Sequence, residues 1–227
     1  MACGDLQHSA IDPPKDCPLC PRLMAFRTEA RAREPSWFNA PVPSFGATNA
    51  RLLIVGLAPG LRGANRTGRP FTGDYAGDLL YATLLKFGFA SGIYDRRPDD
   101  GLALEGCAIT NAVRCVPPQN KPLPEEIRTC RVFLEATLTS FTELDSIVAL
   151  GRIAHDTVVR ACGATLAAHP FGHGRRHRLK SPAERSLTLF DSYHCSRYNT
   201  NTGVLTNEMF EAVFQDVRAQ IDADDVA

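Results

Sequence analysis

RLLIVGLAPGLRGANRTGRPFTGD, Arg51 to Asp74, is the stretch whose reading decides the fold. Its opening, Arg51-Leu52-Leu53-Ile54-Val55, is a short aliphatic run of the kind a parallel strand buries on both faces. The chain then turns abruptly to Gly, Pro, Asn, Thr and Arg. Gly56, Gly60, Gly63, Gly68 and Gly73 let backbone N–H groups approach a ligand closely, while Arg62, Arg66 and Arg69 bring positive charge. Phe71, between Pro70 and Thr72, can offer a flat face to a planar ring. Asp74 closes the stretch with a carboxylate, in position to cap a helix starting at Tyr75. A phosphate-cradling P-loop is excluded, because no Lys-Ser or Lys-Thr pair follows the second glycine. A long polar loop leaving a central parallel strand falls at the carboxyl edge, where open α/β sheets hold their ligands.

Working outward, the remaining elements alternate. PRLMAFRTEARAR (Pro21 to about Arg33) reads as a helix with Leu23, Met24 and Phe26 inward and its arginines outward. Tyr75 to Phe87 is an amphipathic helix ended by Gly88, and Gly106 to Val113 is a second strand with Asn111 near its carboxyl end. Pro124, followed by Glu125 and Glu126, starts a helix to about Phe141. Ser146 to Leu150 is a third strand, Arg152 to Ala161 a helix, and Ser186 to Ser192 a fourth strand delivering His194 to its end. Asn207 to about Ile221 is the last helix. Right-handed crossovers then build an α/β fold of three layers, α/β/α, around a central four-stranded parallel sheet.

The 227 residues suffice for one domain, 1–227, with 1–16 expected to be loosely ordered. Charge is balanced, 25 basic residues against 25 acidic, so any nucleic-acid binding must use local patches. One such patch is Arg62, Arg66 and Arg69. Another is a basic loop holding Arg175, Arg176 and Arg178. No apolar run reaches membrane-spanning length, and the start lacks the order of a signal peptide, so the expectation is a cytoplasmic protein without a membrane partner.

Eight cysteines in such a chain call for something other than disulfides. Cys17 and Cys20 form CPLC, and Cys115 and Cys130 bracket CVPPQNKPLPEEIRTC. By spacing alone the four suit either an iron-sulfur cube or a four-thiolate zinc ion. Cys107 and Cys162 read as small core residues.

The strand ends bring one set of groups to one edge: the glycine loop, Phe71, Asp74, Asn111 and His194. An Asn amide, with a donor side and an acceptor side, can pair with a pyrimidine edge carrying N3–H and O4. Phe71 would stack on that ring, and a His donor could stabilise charge gathering on O2 as a glycosidic bond breaks. Asp74 could orient water or offset positive charge developing on the sugar.

These residues resemble the uracil-DNA glycosylase superfamily, and within it the iron-sulfur-containing family 5 enzymes. The resemblance rests on GLAPG (Gly56 to Gly60), NRTGRPFTGD (Asn65 to Asp74), ITNAVRCVPPQNKP (Ile109 to Pro122) and the pattern from Ser192 to Gly203. It implies a monomeric enzyme that flips a deaminated base, uracil or others such as hypoxanthine, out of damaged DNA and hydrolyses the N-glycosidic bond. It implies Asp74, His194 and Asn111 as catalytic residues, and Gly56, Leu57, Ala58, Phe71 and Asn111 as the base-binding surface. Ser196, Arg197 and Asn199, in a loop similar to the family's DNA wedge, join the arginines as DNA contacts. Cys17, Cys20, Cys115 and Cys130 look like the ligands of a [4Fe-4S] cluster. Two departures stand out: His194-Cys195-Ser196 where His-Pro-Ser is expected, and Val204 where a basic residue is expected. The alternative function is a non-catalytic module on the same fold that binds lesions or abasic sites.

Overall fold

In the computed structural model residues 11–224 are described; residues 1–10, which include Cys3, and residues 225–227 lie outside the described residues. The strands are β1 (Phe45–Gly46), β2 (Leu52–Gly56), β3 (Ala90–Ser91), β4 (Ala103–Leu104), β5 (Cys107–Asn111), β6 (Ser146–Leu150), β7 (Arg176–Lys180) and β8 (Ser186–Ser192). The helices are α1 (Pro21–Arg33), α2 (Ala64–Thr67), α3 (Tyr75–Lys86), α4 (Pro124–Ser140), α5 (Arg152–Ala161), α6 (Arg197–Asn201) and α7 (Asn207–Asp224).

The main sheet runs in the order β1-β5-β2-β6-β8-β7. Its four inner strands are parallel, and the register sets Gly56 of β2 beside Asn111 of β5. The four-stranded sheet read from the sequence is thus the parallel centre of a six-stranded one, to which β1 and β7 add antiparallel edges. The basic segment expected to be a loop is β7, an edge strand whose outward positions keep their charges in water.

Every residue of β2 is buried, as a strand covered on both faces requires. Its side chains alternate between two cores. Leu52 and Ile54 pack with Leu80 and Leu84 of α3 and with Phe210 and Phe214 of α7. Leu53 and Val55 pack with Leu134 and Leu138 of α4 and with Val158 of α5. Helices therefore cover both faces, and all four inner strands end at one edge.

A third, smaller core lies under α1, and here two expectations are corrected. Met24 is exposed, whereas Arg27, expected outside, is buried. The reason is polar: Arg27 donates to Cys115 Sγ at 3.1 Å and to the Cys17 carbonyl at 3.1 Å. Residues 11–16, expected to be loose, are tied down at two points. Asp12 Oδ1 accepts from Ser44 N at 2.9 Å and from the fully buried Arg114 at 2.6 Å, and Asp16 pairs with Arg31 at 2.5 Å.

Candidate active site

A cavity of about 410 Å³ opens where the inner strands end. Leu57 and Ala58 come from the turn after β2, Phe71 and Asp74 from the glycine loop, Asn111 from the end of β5, and His194 and Ser196 from the segment after β8. The sequence-based set thus converges. Gly56 is the pivot: a Cβ there would strike Asn111 Oδ1 and lie 2.6 Å from Phe71 Cζ, so only glycine lets both side chains meet at the strand end. The ladder continues past the strands, with Ala112 N donating to Gly56 O at 2.9 Å and Val113 N to Leu57 O at 3.0 Å. These bonds hold the GLAPG turn beside Asn111.

Phe71 is 6% exposed and has a left-handed backbone, φ +52°, a conformation that costs a non-glycine residue energy and needs support. Two tyrosines supply it: Tyr81 donates to Pro70 O at 2.6 Å and Tyr94 to Phe71 O at 3.1 Å. The Phe71 and His194 rings lie 6.1 Å apart and 29° from parallel.

Asp74 caps α3, its Oδ1 accepting from Gly77 N at 3.1 Å. Its Oδ2 lies over Gly63, where a Cβ would collide with it, and close to Gly60. Burial raises the Asp74 carboxyl above its ordinary range, the Gly77 hydrogen bond lowers it, and Asp78 raises it further. Burial pushes the His194 imidazolium down to about 4, so the ring is neutral near pH 7. Asn199 Nδ2 donates to the His194 carbonyl at 2.8 Å and so holds its backbone. Cys195, the departure after His194, is fully buried with its thiol 3.5 Å from Ala76 O, and packs this segment onto the start of α3.

The arginines divide. Arg62, Arg66 and Arg197 are exposed, the last with its guanidinium 5.1 Å from the Tyr75 ring centre. Arg69 does not belong with them. It is 5% exposed, forms two 2.8 Å bonds to Asp100 and one of 2.7 Å to Thr72, and lies under Phe45, Tyr81 and Tyr94. A charge so buried needs its counter-ion and is not presented at the surface, which corrects its reading as a DNA contact. Arg176 likewise pairs with Asp216 at 2.6 Å on α7, and exposed Arg175 donates to Pro170 O at 3.3 Å. Arg178 is exposed on β7. Ser196 caps α6 by accepting from Asn199 N at 3.3 Å.

Sequence reasoning assigned no role to Pro59, Ala64, Ala76 or Asn120, which also line the cavity. Asn120 lies within the ITNAVRCVPPQNKP segment, where its left-handed backbone, φ +56°, turns it toward the cavity rim. Its signal was the polar pair Gln119-Asn120 after two prolines, a turn reaching back to the strand edge.

Cys17, Cys20, Cys115 and Cys130 line one pocket together with Arg27 and Phe133. Burial, with mutual repulsion adding to it, pushes the free thiol of Cys20 up to about 11 and that of Cys130 to about 12, so four thiolates here require a bound cation. Arg27 and the Arg114 N–H, 3.4 Å from Cys130 Sγ, already point donors at two of the sulfurs. A tetrahedral zinc with bonds of about 2.3 Å would draw the four sulfurs to roughly 3.8 Å apart. A cube, with irons and sulfides between its ligands, holds them wider.

A family model described as the uracil DNA glycosylase superfamily matches residues 43–218. The chain is 48% identical over 208 residues to a type-5 uracil-DNA glycosylase of Thermus thermophilus, covering 89% of this chain and 92% of that protein. It is 39% identical over 212 residues to a type-5 uracil-DNA glycosylase of Pyrobaculum aerophilum, covering 92% and 89%. To a type-4 uracil-DNA glycosylase of Sulfurisphaera tokodaii it is 28% identical over 200 residues, covering 87% and 78%.

Proposed function

This chain belongs to the uracil DNA glycosylase superfamily, and on that premise we propose that it excises uracil from DNA by hydrolysing the N-glycosidic bond, leaving an abasic site for repair. The observation that carries the reading is the cavity shared by Asp74, Asn111, Phe71 and His194.

A base turned out of the duplex stacks on Phe71, and the Asn111 amide pairs with N3–H and O4. The neutral His194 ring donates toward O2, where negative charge gathers as the bond breaks. The free oxygen of Asp74 orients the attacking water and offsets positive charge on the sugar. The apolar wall of Leu57 and Ala58 leaves room for other deaminated bases such as hypoxanthine. Exposed Arg62, Arg66, Arg197, Arg175 and Arg178 contact phosphates, and Ser196 and Asn199 shape the loop that meets the duplex.

A [4Fe-4S] cluster on Cys17, Cys20, Cys115 and Cys130 joins α1 to the segment after β5 as a structural staple; hydrolysis needs no electron transfer from it. One domain acting as a monomer suffices. The alternative of a binding module without chemistry is not favoured, since the similar proteins are named as glycosylases. Incubation with a uracil-containing oligonucleotide separates the two: free uracil in solution supports excision, and retention of an intact oligonucleotide overturns it.

A further inference from the structure

A second cluster of chemistry-bearing side chains lies outside the base cavity. His155 of α5, His177 of β7 and Asp191 of β8 bring their ligand atoms within 4.8 Å of one another, and His155 and Asp191 are fully buried. His155 Nδ1 is 2.7 Å from Asp191 Oδ1, and His177 Nε2 is 3.1 Å from Asp191 Oδ2. None of the three lines the cavity holding Asp74.

The hydrogen bonds decide what the cluster can hold. His155 Nε2 faces the His169 carbonyl oxygen at 2.8 Å, and because that oxygen only accepts, Nε2 carries a proton. Its Nδ1 faces a carboxylate oxygen, against which a bare lone pair would be repelled. Either a proton, on the ring or on the carboxyl, or a metal ion must therefore lie between the two. A ring N–H committed to a backbone carbonyl is the arrangement that orients metal-binding histidines, and Asp191 Oδ2 is itself fixed by Gly172 N at 3.2 Å.

We propose that His155 Nδ1, His177 Nε2 and the Asp191 carboxylate form a binding site for a divalent transition ion of the zinc type. Two imidazoles and one carboxylate are a common three-ligand set for zinc. The fourth position is left to water or to His169, whose ring centre is 5.7 Å from that of His177. The ion would clamp edge strand β7 and the segment from His169 to Gly172 onto α5 and β8. Its role is structural and independent of the four cysteines.

The test uses the purified protein with its cluster intact, titrated with zinc and examined by X-ray absorption at the zinc edge. One equivalent with nitrogen and oxygen scatterers at about 2.0–2.1 Å, together with a raised melting temperature, supports the site. His177→Gln should weaken zinc affinity by at least about 100-fold, beyond what loss of an outer-shell partner causes, while uracil release is unchanged. Failure to take up zinc, sulfur scatterers at about 2.3 Å, or unaltered affinity in His177→Gln would overturn the proposal. His155 and Asp191 would then be joined by a proton alone. The spectrum of the unaltered protein answers even if the variant folds poorly.

Discussion

Asp74 gives one carboxylate oxygen to the N–H of Gly77, at 3.1 Å, and keeps the other over Gly63 in the cavity wall. Gly77 must be a glycine for this, because a Cβ there would collide with Phe71 O. The helix cap thus aims the carboxylate while the same turn holds the Phe71 ring.

The acid limb of catalysis should belong to Asp74. Its folded pKa is raised by burial, whereas that of His194 is lowered to about 4 from an ordinary 6.5. As pH falls, the Asp74 carboxylate is lost at a pKa above the ordinary 3.8, so the single-turnover rate drops with it. Asp74→Asn should lack that limb; an unchanged profile would argue against the assignment. Stability carries the His194 signature. Between 6.5 and about 4 the unfolded chain binds the proton and the folded one does not, so this contribution falls as pH falls through that window. His194→Gln should flatten melting temperature against pH there.

Gly56→Ala should damage the base cavity directly. The added methyl meets Asn111 Oδ1 and Phe71 Cζ, and overpacking of this kind costs about 1–3 kcal/mol. Displacing both side chains should slow single-turnover cleavage by on the order of 100-fold if they hold the base as proposed. Urea unfolding and quenched-flow cleavage of one preparation check the two effects together.

The arginines should separate by burial. Replacing Arg62, Arg66 and Arg197 together should flatten the salt dependence of DNA affinity by about 0.9 in log–log slope for each phosphate these side chains neutralise. Arg69→Ala should leave that slope alone and destabilise the fold by about 3–5 kcal/mol, since the Asp100 side chain, 0% exposed, loses its partner. Fluorescence anisotropy across a salt series, beside thermal melts, distinguishes them.

Purified protein should be brown with about four irons per chain, and colourless protein with one zinc on the cysteines would contradict this. Cys17→Ser should reduce soluble yield more than it reduces the cleavage rate of the folded fraction, because the proposed cluster would join α1 to the segment that follows β5.

What the sequence disclosed follows from how local each signal is. The apolar run Ser146–Leu150 and the helix Arg152–Ala161, with Gly151 between them, match the structure residue for residue because burial on both faces leaves little ambiguity. Asn111, Asp74 and His194 come to one cavity because the strand ends in such a sheet converge. The edge strands escaped: β1 is two residues long, and β7, RHRLK, reads as a charged loop. Arg69 was misplaced because its counter-ion is 31 residues away in sequence. The inward turn of Arg27 depends on Cys115, 88 residues on, which helical periodicity does not register.

The most direct test is Asp74→Asn, because asparagine caps a helix about as well as aspartate but carries no negative charge. The melting temperature should stay within about a degree or two, and single-turnover release of uracil from a uracil-containing oligonucleotide should fall by on the order of 100-fold or more, with DNA affinity nearly unchanged. A variant that kept both its melting temperature and its cleavage rate would make Asp74 a helix cap alone and contradict the account.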